Sequence, residues 1–393
     1  MFQKLVSHND DLRRLLEKGY AVAIDEGYLV VRDIPYLDER RQLQWAAFVT
    51  KLVPVDKLTM RQEDHQVWFS GSVPYGLDSK PIPNLGGGPT RLALGKGFED
   101  VIVQRSFSNK PKPSGVFADF FEKIESYLTI IAGPAMELYD ANPYTFRSDQ
   151  RMPNSVFKFQ DSLTSRAEIG DLSALFSEDV IAVIGLGGTG GYLLDFLVRM
   201  PVREIRGFDF DFFHVHNAFR APGRLTEDEL GRPKAEVHSG RYGNLRHGLR
   251  IERKRIDASS GADLEGVTFA FVCVDKESAR SEIFDILIAK RIPFIDVGIG
   301  LNRKRGPING MVRATYYSPE NAQQIRDKRL AEVSDQPDDI YRTNIQIAEI
   351  NALNACLAVI RFKQLRGFYF EEEPLYHLLL DIGDLKTAGE SEL

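Results

Sequence analysis

The sequence of 393 residues is poor in cysteine and contains no long apolar segment. Its two cysteines, Cys273 and Cys356, are too few for a disulfide framework or a four-cysteine zinc site, so we expect no structural zinc. No run approaches the roughly 18 consecutive apolar residues that cross a membrane, and the first residues lack the apolar core of a signal peptide. We therefore expect a cytoplasmic protein with no membrane partner.

Positive charge is not in excess either. The chain has 50 Lys and Arg against 56 Asp and Glu, which gives a net charge of −6. A protein that binds nucleic acid nonspecifically needs a cationic surface, and this composition supplies no surplus for one, so we expect no nucleic-acid partner. The hydrophobic fraction of 43% and the charged fraction of 27% are typical of folded proteins and exclude wholesale disorder.

Residues 1–150 predict a mixed α+β domain without a nucleotide-binding motif, which we interpret as a partner-binding domain. The residue pattern predicts helices over residues 39–52 and 116–139, and the apolar spacing of the second is typical of a buried core. Three glycines at residues 86–88 lack a clear strand before them and a helix after them, so they predict a loop rather than a phosphate site. A polar run over residues 147–160 predicts a seam before the next domain, and we place this seam at residues 151–165.

Residues 166–393 predict a second domain of the α/β class. Strands alternate with helices there, which is the pattern of a Rossmann-like, mainly parallel sheet with flanking helices. We predict strands over residues 180–184, 204–208, 267–272 and 292–296, and a helix over residues 277–290. A mobile segment over residues 316–341 follows, and then a helix over residues 344–366 that begins at a capping box formed by Thr343 and Gln346.

A glycine-rich loop directly follows the first of these strands. It fits G-x-G-x-x-G, with glycines at Gly185, Gly187, Gly188 and Gly190. Backbone amides at the start of a helix favour an anionic phosphate, and glycines let the ligand approach. Asp209 ends the next strand, where an acidic side chain can accept hydrogen bonds from ribose hydroxyls. To this point an NAD-dependent dehydrogenase fits as well as an ATP-binding enzyme.

Amide, cationic and carboxylate side chains follow at the carboxyl edge of the same predicted sheet, where doubly wound folds bind ligands. They are Asp209, Asp211, His216, Asn217, Arg220, Lys234, Asp275 and Arg280. Cations suit a triphosphate and a carboxylate suits Mg²⁺, whereas a nicotinamide ring needs neither. The pattern therefore favours ATP and Mg²⁺ over NAD.

In order and type, these motifs resemble those of the adenylating superfamily that includes ThiF, MoeB and the ubiquitin-activating enzymes. The family pattern is G-x-G-G-x-G, D-x-D, S-N-x-x-R, G-x-P-K and D-x-x-D with an arginine soon after. Here His216 replaces the usual serine and Val272 replaces the first aspartate of D-x-x-D. The chain also resembles a bacterial subgroup that has an extra N-terminal domain and is encoded near ubiquitin-like and conjugating proteins.

The resemblance implies a role for each matching residue. The glycine loop and Asp211 of the D-x-D motif would bind the nucleotide. Asp209 would hold the ribose, Asp275 would position Mg²⁺, and the ATP phosphates would be held by Asn217, Arg220 and Lys234. Arg166 is the candidate for an arginine that the family places before the first strand, often in the partner subunit's site, and we expect a homodimer. The other implied partners are a ubiquitin-like protein, whose C-terminal carboxylate is adenylated, and a conjugating-enzyme-like protein.

The residue that would accept the acyl group is less defined. Cys273 is predicted to pack in the strand that ends near Asp275, and Cys356 is predicted to be buried within a helix. A buried apolar cysteine is a poor nucleophile. The adenylate would then pass directly to a partner or to a hydroxyl in the segment over residues 316–341, where Ser318 and Ser334 are the candidates.

Three alternatives stay open. The first is adenylation of a peptide or a small carboxylic acid, because the site residues would contact the carboxylate and ATP and not what the carboxylate is attached to. An NAD-dependent Rossmann oxidoreductase is the second alternative. The third is a non-catalytic nucleotide-binding scaffold that recruits partners through its N-terminal half.

Overall fold

The computed structural model describes residues 2–147, 156–303, 306–330 and 345–391. The chain divides into two compact units, Met1–Asp171 and Leu172–Leu393. Within the described ranges, no helix is both long enough and apolar enough to cross a membrane.

The first unit is built on an antiparallel sheet. Its strands are β1 (Ala21–Asp25), β2 (Tyr28–Leu37), β3 (Leu43–Pro54), β4 (Met60–Gln62), β5 (Val67–Phe69), β6 (Gly88–Pro89) and β7 (Arg105–Phe107). Its helices are α1 (Phe2–Ser7), α2 (Asp10–Lys18), α3 (Phe120–Tyr139) and α4 (Ser162–Arg166). The strand order is β1-β2-β3-β5-β7-β6, with β4 paired to β3. Helices α2 and α3 pack on one face of the sheet, and residues 98–103 cover the other.

The predicted helix over residues 39–52 is wrong, because this segment is the strand β3. It pairs with β2 on one side and with β5 on the other, so its backbone N–H and C=O groups form hydrogen bonds to these neighbouring strands. The two tryptophans of the chain lie in this sheet, Trp45 half exposed on β3 and Trp68 on β5 with its ring edge-on to Tyr28 at 5.7 Å. Tertiary pairing has overridden the local pattern here.

The predicted helix over residues 116–139 is confirmed with a later start. It begins at Phe120, because the Asp119 carboxylate caps it by accepting a hydrogen bond of 2.7 Å from the Glu122 amide. It continues past Pro134 to Tyr139. Its apolar stripe is buried in the core of the first unit, as the spacing predicts.

The second unit contains a mainly parallel sheet, which confirms the predicted α/β, Rossmann-like class. Its strands are β8 (Val180–Ile184), β9 (Glu204–Phe208), β10 (Leu249–Glu252), β11 (Phe269–Val272), β12 (Phe294–Asn302), β13 (Asn309–Tyr317), β14 (Leu375–Asp381) and β15 (Lys386–Ser391). The order is β10-β9-β8-β11-β12-β13-β14-β15. The pairs from β10 to β12 are parallel, and β13, β14 and β15 add antiparallel to that edge.

Helices cover both faces of this sheet. They are α6 (Gly188–Leu197), α7 (Val215–Ala218), α8 (Lys234–Tyr242), α9 (Glu277–Ala289), α10 (Ala322–Asp327) and α11 (Ala348–Leu365), while α5 (Gly170–Ala174) spans the residue at which the chain divides. On β8, Ile181 and Val183 face the cluster that contains residues of α6 and α11, whereas Val180 and Ala182 face the cluster that contains residues of α9. A strand buried on both faces explains the uninterrupted apolar run.

Two predicted features near the C-terminus fall partly outside the described residues. The segment over residues 316–341 begins with the end of β13 and contains α10, while its residues 331–341 are outside the described ranges. The predicted helix over residues 344–366 is α11, which begins at Ala348. Thr343 also lies outside the described residues, and Gln346 precedes the helix without capping it.

Candidate nucleotide site

The glycine loop lies at the point in the sheet where the strand order reverses. The chain passes from β8 to β9 on one side and later to β11 on the other, so the loop after β8 and the segment after β11 are neighbours. Gly185 has a φ of +91°, and a Cβ there would lie 2.6 Å from the Cys273 carbonyl oxygen. Glycine is therefore required at Gly185 for both its backbone conformation and its close approach to the other segment.

The start of α6 is packed as closely. A Cβ at Gly190 would lie 1.8 Å from the Gly185 carbonyl oxygen, and one at Gly188 would lie 2.4 Å from the Asn351 amide nitrogen. A Cβ at Gly187 would meet no heavy atom of the described residues within 4 Å. The loop is thus closed on the protein side and open beside Gly187, where a ligand can approach the N-terminus of α6.

Asp209 holds the same loop from β9. Its carboxylate accepts hydrogen bonds from the Leu186 amide at 2.7 Å and the Asp211 amide at 2.9 Å, and the side chain is buried. Burial raises the pKa of Asp209, and the nearby Lys234 ammonium limits the rise. Two backbone donors fix this carboxylate beside the glycine loop, so it can accept a further hydrogen bond from a ribose hydroxyl.

Lys234, the first residue of α8, is buried between two carboxylates. Its ammonium nitrogen lies 3.0 Å from an Asp211 oxygen and 3.7 Å from an Asp209 oxygen. Asp211 is itself exposed, so this part of the D-x-D motif balances the lysine charge in the free protein. An incoming phosphate would share the ammonium with Asp211.

Asn217 and Arg220 lie in and just after the short helix α7. The Asn217 side-chain oxygen accepts a hydrogen bond of 2.8 Å from the His214 amide, which leaves its NH₂ group as the donor for a ligand. The Nε of Arg220 is buried and has no hydrogen-bond partner among the described residues. Partial burial and the nearby Arg220 cation lower the pKa of His216, which favours its neutral imidazole.

Asp275 follows β11 and is exposed. One of its carboxylate oxygens accepts a hydrogen bond of 3.2 Å from Gln346. Arg280 donates to the Val274 carbonyl at 2.7 Å and lies 3.1 Å from the buried Asp296, which anchors it to β12. Arg280 thereby fixes the loop that presents Asp275.

The other predicted residues are placed elsewhere or are used otherwise. Arg166 is in the first unit, on α4, with its Nε 3.5 Å from a Glu17 oxygen and two thirds of its side chain exposed. The Ser318 hydroxyl accepts a hydrogen bond of 3.1 Å from the Asn321 amide ahead of α10. Ser334 lies outside the described residues.

Both cysteines are half-buried, so the prediction of a buried Cys356 is wrong in degree. Burial nevertheless raises the pKa of both thiols, and Cys273 is affected more strongly. Neither thiol has the lowered pKa of a reactive cysteine.

Comparison with known families decides the identity of the second half of the chain. Residues 166–360 match the model of the ThiF family. Residues 166–360 form a ThiF family domain. Residues 10–162 match a domain of unknown function, DUF6791, so the ThiF family domain is preceded by a separate N-terminal domain. No curated protein sequence matches this chain.

Solved structures similar to this chain include those of PaaA and of the E. coli protein MccB. PaaA is 17% identical over 56% of this chain and 75% of its own length, with a TM-score of 0.41. MccB solved with ATP is 17% identical over 56% of this chain and 65% of its own length, with a TM-score of 0.41. MccB solved with N-formylated MccA is 17% identical over 56% of this chain and 66% of its own length, with a TM-score of 0.42. The chain spans less than two thirds of the length of MccB, and identities this low do not carry an activity over.

The ThiF family domain fits ATP on its own geometry. The orphaned Nε of Arg220, the space beside Gly187 and the fixed carboxylate of Asp209 can serve phosphates and ribose. In the described part of the chain, no group of three or more His, Cys, Asp or Glu side chains is placed to hold a metal ion. Mg²⁺ commonly uses one or two carboxylates together with substrate phosphates, and the exposed Asp275 fits that pattern.

Three residues of the site were missed by the sequence reasoning. Asn351 and Gln346 contact the motifs from the C-terminal end of the chain, and no local spacing indicates this. His238, on α8, is fully buried beneath the glycine loop, with its Nε2 3.2 Å from the Leu186 carbonyl oxygen. Its ring stacks on Tyr242 with an interplanar angle of 4°.

His238 predicts a pH-dependent stability of the ThiF family domain. Burial lowers the pKa of His238 from 6.5 to about 4. Between these values the unfolded state binds more protons than the folded state, so the stabilising contribution is complete above pH 6.5 and is lost as pH falls toward 4. From pH 7.5 to pH 5.5 the free energy of unfolding should fall by about 1 kcal/mol through this residue. Urea unfolding at both pH values measures it.

The matched variant is His238→Gln, which retains a donor for the Leu186 carbonyl but does not titrate in this range. It should lack the part of the pH dependence that His238 supplies. An identical pH dependence in the two proteins would show that His238 is not the titrating group.

Proposed function

We propose that this protein uses ATP to adenylate a carboxylate, releasing pyrophosphate. The proposal is carried by three features of one ThiF family domain: the glycine loop, the fixed Asp209 carboxylate, and the Arg220 cation, whose buried Nε has no partner within the described ranges. We propose the same residues as the site: the glycines, Asp209 and Asp211 for the nucleotide, and Asn217, Arg220 and Lys234 for the phosphates.

The charges of the reactants define what the site must do. A chain-terminal carboxylate has a pKa of roughly 3.5, so at pH 7 it is already an anion and needs no general base. One carboxylate oxygen bonds to the α-phosphorus of ATP while the bond between that phosphorus and the bridging oxygen to the β-phosphate breaks. Pyrophosphate takes the electron pair and leaves an acyl adenylate.

The chain's cations reduce the repulsion between these two anions. Arg220 and Lys234 are the groups we propose to neutralise the phosphates and hold them in line with the attacking oxygen. Mg²⁺, held by Asp275 together with phosphate oxygens, would stabilise the charge that develops on pyrophosphate. Lys234 already pairs with Asp211, so its charge is not isolated before ATP binds. A bound phosphate would therefore share the Lys234 ammonium with the Asp211 carboxylate.

For the substrate we propose the C-terminal carboxylate of a ubiquitin-like protein, with a conjugating-enzyme-like protein as the acceptor docked on the N-terminal domain. The resemblance to a bacterial subgroup that is encoded near ubiquitin-like and conjugating proteins supports this choice. The homodimer, the action of Arg166 in a partner's site and the cytoplasmic location stay predictions. We propose no thioester on this chain, because the pKa of both thiols is raised.

ATP–pyrophosphate exchange tests the proposal directly. We expect Mg²⁺-dependent exchange with a ubiquitin-like protein that ends in a flexible glycine tail, and none with the same protein as a C-terminal amide, which lacks the attacking oxygen. A short peptide and its amide form the parallel pair that tests the alternative substrate. Tighter equilibrium binding of NAD than of ATP, with no exchange for any carboxylate, would instead identify an oxidoreductase.

A further inference from the structure

We propose that the segment at the start of α11 positions the nucleotide site, with Asn351 as its central residue. This inference rests on the proposed function and assigns a role to a helix that carries none of the sequence motifs. The helix lies far along the chain from the glycine loop, yet it packs against α6. Asn351 on the helix and Gln346 just before it together contact three separate parts of the site.

The Asn351 side chain joins the glycine loop to the Arg220 loop. It is 1% exposed. Its oxygen accepts a hydrogen bond of 2.9 Å from the Thr189 hydroxyl, and its nitrogen donates one of 3.4 Å to the Arg220 carbonyl. A single amide therefore fixes the start of α6 relative to the residue that we propose to neutralise the phosphates.

The packing at Gly188 shows how close this contact is. A Cβ at Gly188 would lie 2.4, 2.6 and 2.7 Å from the three terminal atoms of the Asn351 side chain. Only glycine admits the amide here without displacement. The third glycine of the loop is thus required by Asn351, in addition to any requirement of the ligand.

Gln346 extends the same arrangement to the third part of the site. It lies just before α11 and donates the hydrogen bond of 3.2 Å to Asp275. A short stretch of chain therefore contacts the loops that follow β8, β9 and β11. Because these loops meet through it, a shift of this stretch would move the phosphate-binding groups and Asp275 together.

Asn354 provides a matched control on the same helix. It is 0% exposed, and its amide nitrogen donates a hydrogen bond of 3.1 Å to the Gly298 carbonyl on β12, away from the glycine loop. Replacing either asparagine with alanine removes a buried amide from α11, so both should destabilise the fold. Only the loss of Asn351 should change the geometry of the nucleotide site.

The experiment measures the Kd of Mg-ATP by calorimetry, together with kcat and KM for ATP in pyrophosphate exchange. Asn351→Ala should raise the Kd and the KM on the order of 10-fold, because it leaves the Thr189 hydroxyl and the Arg220 carbonyl unpaired. Asn354→Ala should leave the Kd within about twofold of the wild type despite its own loss of stability.

Two further variants keep the test decisive if Asn351→Ala folds poorly. Thr189→Val removes one hydrogen bond at a half-buried position and should raise the Kd in the same direction. Asn351→Asp keeps the acceptor for Thr189 but turns a carboxylate oxygen toward the Arg220 carbonyl, so it should be as harmful as alanine. The double variant Gly188→Ala, Asn351→Ala should bind Mg-ATP more tightly than Gly188→Ala alone, because the smaller side chain at position 351 leaves room for the new methyl group.

The outcomes separate the inference from the function on which it rests. If the wild type binds ATP and the Asn351 and Thr189 variants match Asn354→Ala in Kd, the positioning role is wrong and the proposed function stands. If the wild type binds no ATP, the proposed function fails and the positioning role fails with it.

Discussion

Replacing Asp275 with asparagine should lower Mg²⁺-dependent ATP–pyrophosphate exchange by about 10²-fold or more. Asparagine keeps the shape of the side chain and an oxygen that can accept from Gln346, but it removes the negative charge that we propose to hold Mg²⁺. Because Asp275 is exposed, the free energy of unfolding should stay within about 0.5 kcal/mol of the wild type. Exchange rates at saturating ATP and a urea denaturation curve give both quantities.

Asp285→Asn serves as the control for this result. Asp285 is an exposed carboxylate of the same unit that pairs with Arg326 on α10. Its replacement should leave exchange unchanged, and raising the Mg²⁺ concentration should partly restore Asp275→Asn alone. Undiminished exchange in Asp275→Asn would remove Asp275 from the site.

Gly190→Ala should destabilise the second unit by about 3 kcal/mol or more, because its Cβ has no space. The new methyl group would lie 1.8 Å from the Gly185 carbonyl oxygen, which belongs to backbone and cannot rotate away. Alanine is favoured over glycine inside a helix by about 1 kcal/mol, so the steric term is the larger one. The change is measured by urea unfolding, with the labelling of Cys273 and Cys356 as the readout, because both cysteines lie in this unit.

Gly240→Ala is the corresponding control within α8. A Cβ at Gly240 would meet no heavy atom within 4 Å in the part of the chain that the structure describes, so this variant should be neutral or slightly stabilising. Equal stability of the two variants would mean that the loop at Gly185 can move away from α6.

The second unit was predictable from its sequence because its signals are local. The strand Val180–Ile184 and the strand Glu204–Phe208 are where the apolar runs predict them, since a strand buried on both faces must be apolar throughout. The candidate site follows from the same rule, because parallel strands bring their carboxyl ends to one edge. Asp209 and Asp275 are therefore placed by topology alone.

The failures have physical reasons as well. The strand β3 contains leucine, alanine, glutamine and lysine, which suit a helix, and its state is decided by pairing with β2 and β5. Asn351 reaches the glycine loop across 162 residues of sequence, and this contact depends on how α11 packs on α6. A single sequence carries no sign of such a pairing.

The placement of the two tryptophans gives each unit its own spectroscopic signal. Trp45 and Trp68 are the only tryptophans of the chain, and both lie in the sheet of the first unit, whereas both cysteines lie in the second. Tryptophan emission, excited near the red edge of protein absorption, therefore reports only on the domain that matches DUF6791. Thiol labelling reports only on the ThiF family domain. The intact chain thus carries one native fluorophore set and one native pair of labelling sites, so unfolding of each half can be followed separately without cutting the chain or introducing new residues.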